Sequence, residues 1–275
     1  MNFENTITQV YAVKPLVQCI TNFVTVNDCA NIILAAGGTP SMADDIRETA
    51  EAVVGSQALV CNLGAIGNVD SMLEAGKAAN QAGVPVVFDP VAAGNTTIRR
   101  TESARLLERV QFAVIRGNAS EIRALTLNQS AGTGVDVSEA DAISEGNLPQ
   151  AVETARQLAR RTGAVIAVSG PIDILTDGTQ TVLLRNGCAT MARITGSGCM
   201  LTSLIGAFCG TMPKEPFKAA CAAVAAMGLA GEMAEARRLQ NGTGNATFRT
   251  DLIDAIINLT EDQLKKGVRY EIYEG

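Results

Sequence analysis

Apolar runs alternate with amphipathic patterns along the first two thirds of the chain. Four runs rich in Val, Ile, Leu and Ala, each about as long as a buried strand, cover 58–64, 84–90, 112–118 and 164–170. Between them, the spacing of apolar residues predicts helices over 68–81, 101–110 and 151–161, and another that opens at 118. Continuous apolar strands separated by helices indicate a parallel sheet with helices on both faces.

The C-terminal third has a different character. From Cys199 to Gln240 the chain is rich in Ala, Met and Leu and predicts two long helices, with a turn between Pro213 and Pro216. Residues 247–266 predict one or two more helices, and 180–185 an edge strand. The polar stretch 128–149 predicts a surface insertion or a loop helix. Because no linker or repeat interrupts this order, we expect one α/β domain over residues 1–275, with a mostly parallel sheet.

Composition narrows the class of protein. The 275 residues are 47% hydrophobic with a net charge of -6 and no basic run, which argues against a nucleic-acid partner. Apolar stretches are interrupted well before the roughly 20 residues that a membrane span needs. The N-terminus lacks the basic and apolar regions of a signal peptide, so a cytoplasmic protein is expected.

The chain has seven cysteines and no histidine. The odd number and apolar surroundings of the cysteines predict reduced, mostly structural thiols. Without histidine, Ser-His-Asp triads, Cys-His pairs and imidazole metal sites are excluded within the chain. A metal would be held by carboxylates, carbonyls, thiolates or substrate, and carboxylates with phosphates favour Mg²⁺.

Polar residues stand where the predicted strands end, and open parallel sheets bind ligands beyond the carboxyl ends of their strands. Asp89 and Glu121 are candidates to hold Mg²⁺, although Asp89 before Pro90 also fits a turn, and Glu121 also fits charge compensation at a helix start. Arg116 closes an apolar strand, so its charge needs a partner, either a phosphate or a structural carboxylate. Ser169 suits a nucleotide contact or, more simply, a tight turn.

The segment Thr195–Cys199 precedes an apolar, helix-like run. Gly196, Ser197 and Gly198 would leave backbone N–H groups open to an anion at the start of that helix, although a simple Gly-rich turn has the same composition. The dipole of such a helix favours the thiolate of Cys199 and makes it a candidate reactive group. Near the N-terminus, Asn22 suits either a helix cap or a ligand contact, and Met42 either core packing or the wall of a flat apolar ligand.

Five segments, in this order along the chain, resemble the hydroxyethylthiazole kinase family. They are 17–25 (VQCITNFVT), 38–43 (GTPSMA), 89–94 (DPVAAG), 116–122 (RGNASEI) and 195–199 (TGSGC). The resemblance implies a ribokinase-like fold and phosphorylation of the hydroxyl of 4-methyl-5-(2-hydroxyethyl)thiazole by ATP, in thiamine salvage. It also implies a homotrimer with the thiazole site between subunits.

The resemblance assigns roles to matching positions. Met42, Gly196 and Asn22 would contact the thiazole. The positions implied to contact ATP are Arg116, Ser169 and Asn118, and those in the Mg²⁺ shell are Asp89 and Glu121. Ser169 is a Thr in many relatives.

Cys199 stands where the wider ribokinase superfamily has an aspartate that deprotonates the acceptor hydroxyl. This departure leaves Cys199 as a weak or optional base. Alternatives are another ribokinase-like kinase, such as a hydroxymethylpyrimidine kinase, an ATP-dependent hydrate dehydratase, an enzyme with a thiol nucleophile, or an inactive nucleotide-binding sensor.

Overall fold

A computed structural model describes residues 3–127 and 143–275. Its centre is one sheet of nine strands in the order β2-β1-β3-β4-β5-β6-β7-β8-β9. The strands β1 to β6 pair in parallel, and β7, β8 and β9 continue the sheet antiparallel. The strands are β1 Leu16–Ile20, β2 Thr39–Ser41, β3 Ala58–Asn62, β4 Val86–Asp89, β5 Val114–Asn118, β6 Val165–Ser169, β7 Asp173–Thr176, β8 Thr181–Leu184 and β9 Tyr270–Ile272.

Helices cover both faces of the sheet, as expected for a mostly parallel α/β fold. The helices are α1 Thr6–Val13, α2 Val26–Ala35, α3 Thr49–Val54, α4 Val69–Ala82, α5 Thr97–Arg109, α6 Ala119–Leu127, α7 Leu148–Thr162, α8 Ser197–Thr211, α9 Pro216–Asn241, α10 Asn245–Asn258 and α11 Glu261–Gly267. Alternate strand residues face opposite layers: Leu59 and Cys61 pack with α3 to α7, whereas Val60 packs with α2, α8, α9 and α10.

The helix predictions agree with the structure apart from their bounds. Helix α5 begins at Thr97, four residues before the predicted start, because the Thr96 hydroxyl accepts the Arg99 N–H at 3.4 Å and caps it. Of the predicted insertion over 128–149, residues 128–142 lie outside the described residues, and Leu148 and Pro149 already belong to α7. The predicted turn between the two long C-terminal helices is confirmed.

The prediction of an edge strand over 180–185 is wrong. Strand β8 lies between β7 and β9, and the described edges of the sheet are β2 and the exposed β9. Strand β9 comes from the C-terminal end of the chain and pairs with β8. Next to this pairing, the Arg185 guanidinium contacts Glu271, 86 residues later in the chain, at 3.3 Å. Tyr270 and Ile272 alternate with Glu271, but the strand has three residues, all of them exposed, which is too short a pattern to predict it.

Within the part of the chain that the structure describes, one helix, α9, is long and apolar enough to cross a membrane. However, 78% of its most apolar window is buried inside the fold. Small residues let it pack closely against α8 and α10. Helix α9 is therefore accounted for as a core helix.

Candidate active site

The carboxyl ends of β3, β4, β5 and β6 bring the predicted polar residues together at one end of the strands. Strand register sets Asn62 beside Asp89, and Asn118 beside Ser169. The start of α8 faces these strand ends, since Thr202 contacts Asp89 and Cys199 contacts Asn62. The expectation that distant strand ends gather into one site is therefore met.

Asp89 is the buried carboxylate of this site, with 1% of its surface exposed. Its Oδ2 accepts hydrogen bonds from Asn62 Nδ2 at 3.0 Å and Thr202 Oγ1 at 2.9 Å. Among the described residues, its Oδ1 has no hydrogen-bond partner. The pKa of the Asp89 carboxyl is raised to about 6, chiefly by burial and also by the nearby Glu121, while Arg116 and the hydrogen bond from Thr202 oppose the rise.

Glu121 and Asn118 form a reciprocal cap at the start of α6. Glu121 accepts the Asn118 N–H at 2.8 Å, and the Asn118 side chain accepts the Glu121 N–H at 2.8 Å. The other oxygen of Glu121 accepts the Ala92 N–H at 2.8 Å, which ties the loop after β4 to this helix. Helix capping therefore explains some of the contacts of Asn118 and Glu121. Asn118 also lines the cavity described below.

Arg116 lies flat against the amino end of α8. Its Nε donates to Ser169 Oγ at 2.9 Å, and its Nη1 lies 3.8 Å from Asp89 Oδ2. A Cβ at Gly198 would overlap the Arg116 guanidinium, so a larger residue there would displace the guanidinium from this position. The positive guanidinium and the positive end of the helix dipole therefore meet at one place.

The glycine-rich segment builds the start of α8 as predicted. Gly196 precedes the helix in the left-handed region at φ 82°, and a Cβ there would lie 2.5 Å from Thr25 Cγ2. The first N–H groups of a helix have no acceptor within it, so those of Ser197, Gly198 and Cys199 are directed at these strand ends. Free N–H groups of this kind can bind an anion, and the anion site at these residues stays a prediction.

Cys199 is oriented by two amides. Asn62 Nδ2 donates to its Sγ at 3.2 Å and Asn22 Nδ2 at 3.5 Å. Burial raises the pKa of the Cys199 thiol, Asp89 raises it further, and the hydrogen bonds from Thr25, Asn62 and Asn22 oppose the rise. The expectation that the helix dipole favours a thiolate here is outweighed by burial, which also counts against a thiol-nucleophile enzyme.

The N-terminal residues lie where β1 and β2 end. Helix α2 begins at Val26, so its N-cap position is Thr25, and Asn22 instead accepts the Thr25 N–H at 3.2 Å. Met42 directly follows β2, and it is half-buried against the core cluster that includes α8. Phe23 and Val24, next to Asn22, are 91% and 56% exposed.

A cavity of about 500 Å³ extends from Arg116. Its polar end contains Ser169, Asp173 and Ser197, and its apolar wall contains Leu201 and Met227. Burial raises the pKa of Asp173 to about 7, which the Gly170 N–H and Arg116 oppose. A volume of this size is typical of small-molecule sites.

Some residues of the site were given no role from the sequence, although Asn62 was recognised as a polar residue at a strand end. Asn62 and Thr202 complete the hydrogen bonds of Asp89, and Asp173 and Met227 line the cavity. The spacing of Thr202, three residues after Cys199, placed it one helical turn into the same helix and was the available signal. The described residues contain no group of three or more His, Cys, Asp or Glu that could hold a metal ion.

Comparisons with known proteins identify the family of the chain. The chain matches the hydroxyethylthiazole kinase family over residues 7–262. It is 43% identical over 262 residues to the hydroxyethylthiazole kinase of Clostridium acetobutylicum, covering 94% of this chain and 96% of that protein. It is 46% identical over 255 residues to the one of Clostridium beijerinckii, covering 92% and 91%.

Solved structures point the same way. The structure of hydroxyethylthiazole kinase from Pyrococcus horikoshii superposes with a TM-score of 0.86 at 32% identity, covering 99% of both chains. Pyridoxal kinase from Staphylococcus aureus, solved in complex with ADP, superposes with a TM-score of 0.57 at 14% identity, over 80% of this chain and 88% of its own. The second likeness shows the fold alone.

Proposed function

The chain belongs to the hydroxyethylthiazole kinase family, and on that premise we propose that it transfers a phosphoryl group from ATP to the hydroxyl of 4-methyl-5-(2-hydroxyethyl)thiazole. The products are the thiazole phosphate and ADP, and the place of the reaction is thiamine salvage. Phosphoryl transfer requires alignment of the reactants and stabilisation of charge more than covalent chemistry.

The observation that carries this proposal is the position of Arg116 on Gly198 at the amino end of α8. Two positive features meet here, and an anion bound beside both would stabilise them. Asp89 Oδ2, 3.8 Å from the guanidinium, is already hydrogen-bonded to Asn62 and Thr202. A phosphoryl group is the ligand that this arrangement fits.

ATP would occupy the cavity of about 500 Å³ beside Arg116. Its polar end, with Ser169 and Asn118, suits phosphates and ribose, whereas Leu201 and Met227 offer an apolar wall for a base. Gly196, Ser197 and Gly198 then face the transferring phosphoryl group through backbone N–H groups.

The residues at the strand ends fit Mg²⁺. The buried, unpartnered Oδ1 of Asp89 is an orphaned carboxylate oxygen that a hard cation or its water shell would satisfy. Glu121 contributes charge nearby while both of its oxygens hold backbone N–H groups. When bound, Mg²⁺ neutralises charge on the phosphates, which supply most of its ligands.

The acceptor would lie on the other side of α8's amino end. We place the thiazole against Met42, Asn22 and Gly196, with its hydroxyl beside Cys199. Because burial raises the pKa of Cys199, the group is a thiol at neutral pH, and it orients the hydroxyl more than it removes a proton. A loose transition state needs little help from a base.

We propose that the protein is a cytoplasmic homotrimer with its thiazole sites between subunits. The exposed Phe23 and Val24 beside Asn22 supply an apolar surface at the acceptor side for a second subunit to cover. All seven cysteines are free thiols, which suits a reducing compartment.

The test is ATP turnover by the purified protein. ADP release should require both Mg²⁺ and hydroxyethylthiazole, and mass spectrometry should find the thiazole phosphate. Hydroxymethylpyrimidine serves as the rival acceptor. Faster turnover with that compound would reassign the substrate, and ATP binding without turnover of either acceptor would indicate a nucleotide sensor.

A further inference from the structure

Asn62, the last residue of β3, has a carboxamide whose hydrogen-bonding capacity is filled by the site. Its Nδ2 donates to Asp89 Oδ2 at 3.0 Å and to Cys199 Sγ at 3.2 Å. Its Oδ1 accepts from Asn22 Nδ2 at 3.2 Å and from the Gly64 N–H at 2.9 Å. Two donors face the oxygen and two acceptors face the nitrogen, so the orientation of the amide is fixed.

The contact with Asp89 determines which carboxylate oxygen stays open. Asn62 and Thr202 both donate to Oδ2, which fills its two lone pairs. Oδ1 is buried and has no partner among the described residues. The two donors therefore hold the carboxylate by Oδ2 and leave Oδ1 as the oxygen available to a ligand.

The contact with Cys199 uses the other hydrogen of the same nitrogen. The carboxylate and the sulfur are thus held by one planar NH₂ group, which fixes their separation. Asn62 is 1% exposed, so water does not compete for these bonds. Neither group can move without breaking a bond to Asn62.

We propose that Asn62 is a positioning residue for phosphoryl transfer, which aims Asp89 Oδ1 at the cation of the bound nucleotide and sets Cys199 relative to it. The inference rests on the proposed function. Asn62 itself exchanges no proton and touches no phosphate. Partners of this kind commonly change metal affinity or activity by about 10- to 100-fold when they are removed.

The first measurement is metal binding without turnover. Mn²⁺, which accepts the same oxygen ligands as Mg²⁺, is titrated into the enzyme–ADP complex and followed by electron paramagnetic resonance. Asn62→Ala and Asn62→Ser should weaken Mn²⁺ binding about 10- to 100-fold, whereas ADP affinity in EDTA should stay within about twofold. If one variant fails to fold, the other carries the test.

Asn80→Ala is the matched control. The Asn80 carboxamide likewise joins distant parts of the chain, through two hydrogen bonds of 2.8 Å to the backbone of Gln111. It lies at the amino ends of the strands, where α4 leads into β4. It should lower the melting temperature and leave Mn²⁺ affinity unchanged. An equal loss of Mn²⁺ affinity in Asn80→Ala would overturn the proposal, because general loosening would then explain the effect.

Two further variants separate the two contacts. Thr202→Val removes the other donor to Asp89 Oδ2 and should also weaken Mn²⁺ binding. In a Cys199→Ala background, Asn62→Ala should lower Mn²⁺ affinity as much as before but lower kcat by a smaller factor. Unchanged Mn²⁺ affinity in the Asn62 variants, or an equal fall in metal-free ADP affinity, would overturn the assignment.

The outcomes also distinguish this inference from the proposed function. If wild type does not turn over hydroxyethylthiazole but its Mn²⁺ affinity still depends on Asn62, the acceptor is wrong and the positioning role stands. If wild type phosphorylates the thiazole and Asn62→Ala keeps wild-type Mn²⁺ affinity and kcat, the function stands and the positioning role fails.

Discussion

The two sides of the site are built differently. On the nucleotide side, defined by Asp89, Arg116 and Ser169 with the start of α8, side chains are buried and tied together; Asp89 is 1% exposed and the Arg116 side chain 12%. On the acceptor side, defined by Asn22, Phe23 and Met42, Phe23 is 91% exposed. One chain therefore buries the side proposed to bind phosphate, whereas the side proposed to bind the acceptor carries an exposed aromatic ring.

The largest expected effect contrasts Asp89 with Cys199, which lie on either side of Asn62. Asp89→Ala should lower kcat about 10²- to 10³-fold, as loss of a preorganised charge-stabilising group does. Cys199→Ala should lower it less than about tenfold, below the range of a true general base. Steady-state kinetics at saturating ATP and acceptor check both, and equal losses would contradict the supporting role of Cys199.

Cys199→Asp sharpens the same contrast. A carboxylate accepts the amide N–H groups of Asn22 and Asn62, and a carboxyl group ionises more readily than a thiol, so it is better able to take the hydroxyl proton. We expect kcat to rise above that of wild type if the variant folds. A fall below Cys199→Ala would show that Asp89 does not tolerate a second negative charge nearby.

A smaller effect concerns the fit of Arg116 on Gly198. Arg116→Ala and Gly198→Ala should each raise the KM for ATP about 10- to 100-fold, equivalent to losing a hydrogen bond to a charged group. The double variant should be little worse than either single one, because both remove the same contact. Gly244→Ala is the control, since a Cβ there meets open space. If the effects of the two substitutions on the KM for ATP were fully additive, Arg116 and Gly198 would act independently.

The acceptor side is tested by Phe23→Asp. If another subunit covers Phe23, its loss removes up to about 3 kcal/mol of apolar burial, so self-association should weaken and the KM for the thiazole should rise. ADP affinity should not change. Val54→Asp is the control: Val54 is 61% exposed, on α3 toward the amino ends of the strands. Light scattering and kinetics are the measurements; wild-type mass and KM in Phe23→Asp would refute an interface there.

The smallest expected effect is on the free energy of unfolding, which the buried Asp89 should lower at neutral pH. Because the folded pKa of Asp89 is raised to about 6 from 3.8, the folded state binds more protons between these values, and stability falls as pH rises through this window. Asp89→Asn removes that dependence. Relative to wild type, its free energy of unfolding in EDTA should improve by up to about 3 kcal/mol between pH 4 and pH 7. A constant difference would show no such cost.

The sequence predicted the parallel strands well because long Val and Ile runs have few alternatives. Strand β1 escaped notice because it contains Gln18, which is fully buried only because its Nε2 donates to Ala43 O at 2.8 Å and Thr49 Oγ1 at 2.9 Å. The prediction of the sheet edge was wrong because β9, which pairs with β8, has only three residues, all exposed, and so gives too short a pattern to predict a strand. The secondary structure of such segments is determined by the tertiary contacts that they make.

The candidate site was predictable where a residue type carries its own chemistry. Asp89, Arg116 and the glycines before α8 stand out in a strand–loop pattern. The role of Asn62 does not, because an amide at a strand end acquires its meaning only from the register with Asp89 and from the helix that brings Cys199 across it. Contacts among three elements distant in sequence leave no local signature.

The register of β3 with β4 has a consequence for folding. Asn62 and Asp89 become neighbours only when these two parallel strands, joined through α4, pair without a slip. A shift of one residue would turn Asp89 to the opposite face of the sheet, away from Thr202. A collapsed chain with misaligned strands would bury as much apolar surface and still lack the site. Recovery of turnover after refolding is therefore a readout of strand alignment, which measures of compactness do not provide.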